Sequence, residues 1–206
     1  MGISLCLEKI GVPATRNKIK MNKPDLKQKI SEYIKYAKEN GALNAVQFST
    51  KQIVFDERTI LKCAFGCKDW GKNHTCPSAD SFLGLDMYKR VLQKYKTGII
   101  IHCDNKKISQ EISFALESKA YVDGFYWAFS LSDCALCGGN CSAALSGSAN
   151  PHHPNISPCR HKKKARPAFH SVGIDVFATV HKFGLPLLTL KENDKSENWY
   201  SAVFID

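Results

Sequence analysis

Apolar residues recur at helical spacing through 24–40, PDLKQKISEYIKYAKEN, where Leu26, Ile30, Tyr33, Ile34 and Ala37 share one face. Pro24 suits the first turn and Gly41 the C-terminal cap, so the pattern predicts a bounded helix. Strand-like stretches follow at 45–49 and 52–55, with Ser49-Thr50-Lys51 between them as a hairpin turn. A second amphipathic helix fits 82–95 through Phe82, Leu85, Tyr88, Val91, Leu92 and Tyr95. The run TGIIIHC (97–103) reads as a buried strand. A third helix fits 107–122, with Ile108, Ile112, Ala115 and Leu116 inward. FYWAFS (125–130) is aromatic and strand-like. Residues 173–183, GIDVFATVHKF, predict a helix stopped by Gly184 and Pro186, and LPLLTL with WYSAVFID predicts a hairpin around 191–198.

These elements describe an α+β protein: a central mixed β-sheet, packed helices and a cysteine-rich metal-binding loop layer. No internal repeat divides it. The expected organisation is an N-terminal extension over 1–22 and a single α+β metal-binding domain over 23–206.

Composition narrows the class. With 206 residues and 44% hydrophobic content, the chain can bury a real core. It holds no run of about 18 apolar residues, so no membrane span is expected. The opening stretch reaches Glu8 and Lys9 too soon for a signal-peptide core, and Cys6 breaks the N-myristoylation pattern. A cytoplasmic location follows as the expectation. In that reducing setting grouped cysteines read as metal or redox ligands rather than disulfides, and a total of nine argues against full pairing.

Seven of those nine fall into two groups. Cys63, Cys67 and Cys76 form C-x3-C-x8-C; Cys134, Cys137 and Cys141 form C-x2-C-x3-C, with Cys159 eighteen residues on. Thiols so spaced let one short loop aim several sulfurs at a single centre, as iron–sulfur clusters and zinc require. In the second group Gly138-Gly139 lets the backbone curl and leaves amides free for cluster sulfurs, and Cys159 returns as the fourth ligand. A lone fourth cysteine suits a 4Fe–4S cluster better than structural zinc, which takes two close pairs; a zinc-stabilised binding protein is the alternative.

The first group has three thiols and three readings. Cys103 can complete a second cluster, His74 can complete a zinc site, or the fourth iron stays open for a substrate, which makes an enzyme. Loop cysteines with packing roles are the plainer reading, and Cys6 is assigned to it. His152 and His153 are adjacent loop residues, which seldom converge on one metal, while His161 and His170 flank a basic run. Asp133, Asp175 and Glu111 have no acid–base neighbour in sequence and read as solvated carboxylates.

The formal charge of +10 invites a nucleic-acid reading. The basic residues are nonetheless dispersed, and only Arg160, His161, Lys162, Lys163, Lys164 and Arg166 form a dense run. Such a run is usually a solvated face. Its place directly after Cys159 gives it two sharper roles: balancing the charge of about −2 on a four-thiolate cubane, or docking an acidic redox partner protein. No aromatic-interleaved or helix-turn-helix pattern supports nucleic acid.

The segments CAFGCKDWGKNHTCP, DCALCGGNCS and PCRHKKKARPAFHSVGIDVFATVHKFGLPL resemble an uncharacterised family of predicted metal-binding, cysteine-rich proteins common in anaerobic bacteria and methanogenic archaea. The resemblance runs from about Gly41 to Leu188. Its most specific part is Cys159-Arg160-His161 with Ala165-Arg166-Pro167 and Gly173-Ile174-Asp175-Val176. Family members more often carry Pro and Ser where this chain has Lys162 and Ala168, which leaves the thiols intact. The resemblance implies metal binding, with iron–sulfur as the metal form, and supplies no reaction.

Overall fold

Every residue of the run TGIIIHC is buried, and the strand it forms, β2 (Thr97–Cys103), is the axis of the fold. The structure is a computed structural model and describes residues 25–79, 82–145, 158–188 and 197–206. On one side β2 pairs with β1 (Asn44–Ser49). On the other it pairs with β4 (Trp199–Phe204), beyond which lies β3 (Phe129–Leu131). The order is β1-β2-β4-β3. All pairings are antiparallel where a mixed sheet is expected; the α+β class stands.

Side chains alternate across β2, as the pleat requires. Ile99, Ile101 and Cys103 enter a cluster with Ile30, Tyr33 and Ala37 of α1 (Leu26–Glu39) and Ile112 and Leu116 of α4 (Lys106–Val122). Ile100 faces the other way, among Phe48, Val172, Val180 and Phe204. Both faces are therefore covered, which is why the strand reads as a continuous apolar run. At Gly98 a side chain has no room: a Cβ would meet the Val203 carbonyl oxygen at 2.3 Å and the Phe48 ring at 2.5 Å.

Local signals bound the long helices. Asp25 caps α1, accepting from the Lys27 N–H at 3.0 Å, and Gly41 follows its end at a φ of 103°. Asn105 caps α4 through the Lys107 N–H at 2.9 Å. Three shorter helices complete the middle of the chain: α2 (Thr59–Gly66), α3 (Leu85–Leu92) and α5 (Ser142–Leu145). The last, α6 (Val176–His181), is preceded by a 3-10 turn at His170–Val172. Among the described residues no helix is long and apolar enough to cross a membrane.

Several expectations are corrected. The chain after β1 forms no hairpin: Ser49 and Gln52 cap a 3-10 turn, and Phe55 bridges to Ile174 instead. FYWAFS yields a strand only from Phe129, because Tyr126 and Trp127 sit in a turn, 60% and 72% exposed. The second helix begins at Leu85, and Phe82 lies outside it, packed on Tyr88 at 5.6 Å between ring centroids. The helix expected over 173–183 is confined to α6, with Asp175 as its cap. Residues 185–188 form no strand; the turn expected near 191 falls largely, and the extension over 1–22 with Cys6 wholly, outside the described residues.

Candidate metal centre

Helix α2 carries Cys63, and Cys67 caps its end, so one of the three cysteines of the first group is helical where a loop is expected. Cys76 follows in a run of turns, and its thiol donates to the Asp69 carbonyl at 3.5 Å. Burial raises the Cys76 thiol, and the backbone at Asn73, Gly71 and Lys72 opposes that shift. Burial pushes the Cys63 thiol up to about 11, with smaller raising effects from Cys67, Cys76 and Asp133.

The second group begins where β3 ends. Ser132 donates its N–H to Pro167 O at 2.9 Å, and Ala135 donates its N–H to Gln110 Oε1 of α4 at 2.8 Å. Between these anchors lie Asp133 and Cys134. Turns then carry the chain past Cys137, with Gly138 and Gly139 both left-handed at φ 55° and 85°, to Cys141 at the entry of α5.

Two contacts draw Cys159 in beside Cys141. Ser142 Oγ donates to Pro158 O at 3.1 Å, and the Arg160 guanidinium donates to Asn140 O. The flanks of one cysteine are thus bonded to the flanks of the other. Burial raises the Cys159 thiol, the His161 amide opposes that shift, and negative charge at Cys134, Cys141 and Cys137 adds to it.

His74 joins the two groups. Its Nε2 lies 3.0 Å from Ser142 Oγ, so the loop approaching Cys76 touches the residue after Cys141. Cys103 is elsewhere: it is wholly buried with Ile99 and Ile101, on the face of the sheet covered by α1 and α4. The turn against which α2 packs belongs to the other face through Val172. Cys103 is a core residue and completes no site.

The basic run divides. Residues 160–164 form an exposed turn, closed by the Lys164 N–H to His161 O bond at 2.8 Å. Arg166 is no part of that solvated surface. It pairs with Glu117, both mostly buried, and stacks over Phe114 and Phe129 at 5.0 and 5.2 Å. Glu117 also accepts from the Ser130 N–H at 2.7 Å and hydroxyl at 2.6 Å.

Of the carboxylates expected in solvent, Glu111 fits, pairing with Lys107 across 3.8 Å at the surface. Asp175 caps α6 by accepting from the Ala178 N–H at 3.0 Å. Asp133 is half-buried, and burial raises its carboxyl. Sequence reasoning misses Glu117 and Ser142 altogether; the one available hint was Asp133 standing directly before Cys134.

Do these residues suit a metal? None of the eight described cysteines is in a disulfide. Among the described residues no three His, Cys, Asp or Glu side chains already converge as a coordination shell. Thiol ligands lose their protons on binding metal. Among the described residues, buried Ser78 Oγ, Ser132 Oγ and Gln110 Nε2 have no hydrogen-bond partner; the two serines lie two residues from Cys76 and Cys134, and Gln110 holds the Ala135 N–H. Donors placed beside thiolates are what a sulfur-rich centre uses. The donor set fits a thiophilic metal.

The groove between α1 and α4, about 310 Å³, contains no cysteine, and its Lys29 is neutralised by Glu32 at 2.9 Å and Asp123 at 3.2 Å. No curated protein and no solved structure matches the chain. A family model does match residues 46–205, which include all seven grouped cysteines and most of the chain. The thiol-rich chain belongs to the family described as Predicted metal-binding protein (DUF2284).

Proposed function

We propose that this protein is a cytoplasmic iron–sulfur redox protein, with a 4Fe–4S centre held by Cys134, Cys137, Cys141 and Cys159. One observation carries the reading: the Ser142–Pro158 and Arg160–Asn140 hydrogen bonds bring the lone Cys159 to the flank of Cys141. Four thiolates from one tight loop and one returning segment suit iron–sulfur better than zinc held by two close pairs. A bound cluster supplies one-electron chemistry.

The chain's own residues set the conditions. Left-handed Gly138 and Gly139 turn the loop back on itself, and the His161 amide donates to the Cys159 sulfur. The partner in electron transfer is an acidic redox protein. Arg160, His161, Lys162, Lys163 and Lys164 are exposed on a turn tied to Asn140 at one end and, through Arg166, to Glu117 at the other. A cationic surface held this firmly beside a redox centre docks an anionic partner at little entropic cost.

Anaerobic purification, iron and sulfide analysis, and electron paramagnetic resonance test the reading. Brown protein with matching iron and sulfide is expected. Colourless protein containing zinc alone overturns it.

A further inference from the structure

Tyr121, Tyr126 and Trp127 are each more than half exposed, at the end of α4 and in the turn after it. Far off in sequence, 160–164 form an exposed turn with four cations and no acidic residue. The fold brings these rings and cations together. We propose that this surface binds single-stranded RNA, with bases stacked on the rings and phosphates paired with the basic turn. The inference goes beyond the redox reading and does not depend on the metal. The turn that docks an acidic protein thereby has a second anionic partner, and the two compete for it.

Phe114, Glu117 and Tyr121 follow one another at helical spacing along α4, so successive side chains are neighbours on one face. Lys164 lies over the Phe114 ring at 6.0 Å. Two residues on, Arg166 donates its Nε–H to Glu117 at 2.8 Å and stacks on Phe129 at 5.2 Å. The basic turn is thus tied one helical turn short of Tyr121, and to the strand that Trp127 leads into. The Tyr95 hydroxyl donates to Trp127 O at 2.5 Å, which adds the exposed Lys94 and Lys96 to the surroundings of the rings.

The turn holds its rings out in a fixed place. The Phe125 N–H bonds to Ala120 O at 2.9 Å and the Ala128 N–H to Phe125 O at 2.9 Å, while Phe125 itself is buried in the core. Tyr126 and Trp127 stand 5.3 Å apart between centroids at 49°, so neither ring covers the face of the other. Open aromatic faces beside a cationic run are how proteins grip single strands without reading sequence. A duplex hides its base faces, whereas unpaired bases are common in the loops and ends of RNA. A second copy of the chain carries the same +10 and is repelled. An acidic protein surface answers the cations but offers the rings no succession of planar faces.

The test uses the full chain, purified anaerobically, and an oligouridylate of about 12 nucleotides, with binding followed by anisotropy and tryptophan quenching over a salt series. Trp127→Ala should weaken binding about tenfold and leave the salt slope unchanged. Replacing Lys162, Lys163 and Lys164 with Gln should instead reduce the salt slope by about 2. Trp127→Phe should keep most of the affinity and lose most of the quenching, since Trp70 and Trp199 stand elsewhere in the chain. Native affinity in Trp127→Ala overturns the stacking, and an unaltered salt slope in the lysine variant overturns the role of the turn. Duplex RNA bound as tightly as the single strand overturns the proposal. Polyglutamate bound as tightly does so too, and returns the surface to acidic proteins alone. Oligothymidylate bound more tightly overturns RNA as the source of the strand. Colourless zinc protein that binds the oligouridylate in this manner leaves the inference standing, whereas brown protein that fails to bind overturns it and leaves the iron–sulfur reading intact.

Discussion

The guanidinium of Arg166 is buried against the carboxylate of Glu117, and the pair joins the segment after Cys159 to the helix behind β3. Glu117 also holds both polar groups of Ser130, so a single carboxylate satisfies donors from two elements. Removing its charge strands Arg166 between two aromatic rings. Glu117→Gln should therefore destabilise the protein by about 3 kcal/mol in urea unfolding. Adding Arg166→Met should recover part of that loss, since an apolar chain of similar size suits the Phe114–Phe129 slot. A double variant less stable than Glu117→Gln alone would mean that the ring contacts matter more than the charge.

Cys137 tests the centre at the second group. A serine hydroxyl is a poor ligand for soft iron, so Cys137→Ser should remove most of the visible absorption attributable to that cluster. Stability should fall as well, because residues 138–158 hold few apolar side chains to keep the loop closed without metal. Unchanged iron, sulfide and spectrum would refute the assignment.

What was legible in the sequence was what local chemistry decides. Helices α1 and α4 announce themselves because a 3.6-residue apolar period coincides with usable caps, and β2 because seven buried residues leave no polar alternation. The hairpin after β1 was misread because Phe55 finds its partner at Ile174, a distant pairing that no turn residue encodes. Tyr126 and Trp127 have strand propensity, yet a turn exposes them. Cysteine spacing drew attention to the two thiol groups. The links among them run through His74, Ser142, Asn140 and Arg160, whose bonds cross long stretches of chain, and Asp133 was dismissed because burial cannot be read from its neighbours.

The exposed turn after Cys159 should act through its charge. Replacing Lys162, Lys163 and Lys164 with Gln should shift the cluster potential negative, or weaken binding to an acidic redox protein in a salt-dependent manner. Lys164 reaches the Phe114 ring at 6.0 Å, so the Lys162 and Lys163 changes should carry the larger share. Potentiometry and binding titrations at several ionic strengths give the answer. Values unaltered in all of them would leave the run as plain solvated surface.

Cys103 separates core thiols from ligand thiols. It is wholly buried, and burial pushes its thiol up to about 11, against about 8.5 in an unfolded chain. The folded state then binds this proton more tightly. Its contribution to stability is full below about pH 8.5 and is lost as pH rises toward 11. Cys103→Ala should cost about 1 kcal/mol near neutral pH through the small cavity it leaves. That cost should shrink at alkaline pH, where the native thiol is itself a liability. Iron per chain should not change, in contrast to Cys137→Ser. Iron lost equally from both variants would return Cys103 to the metal site and contradict its place beside Ile99 and Ile101.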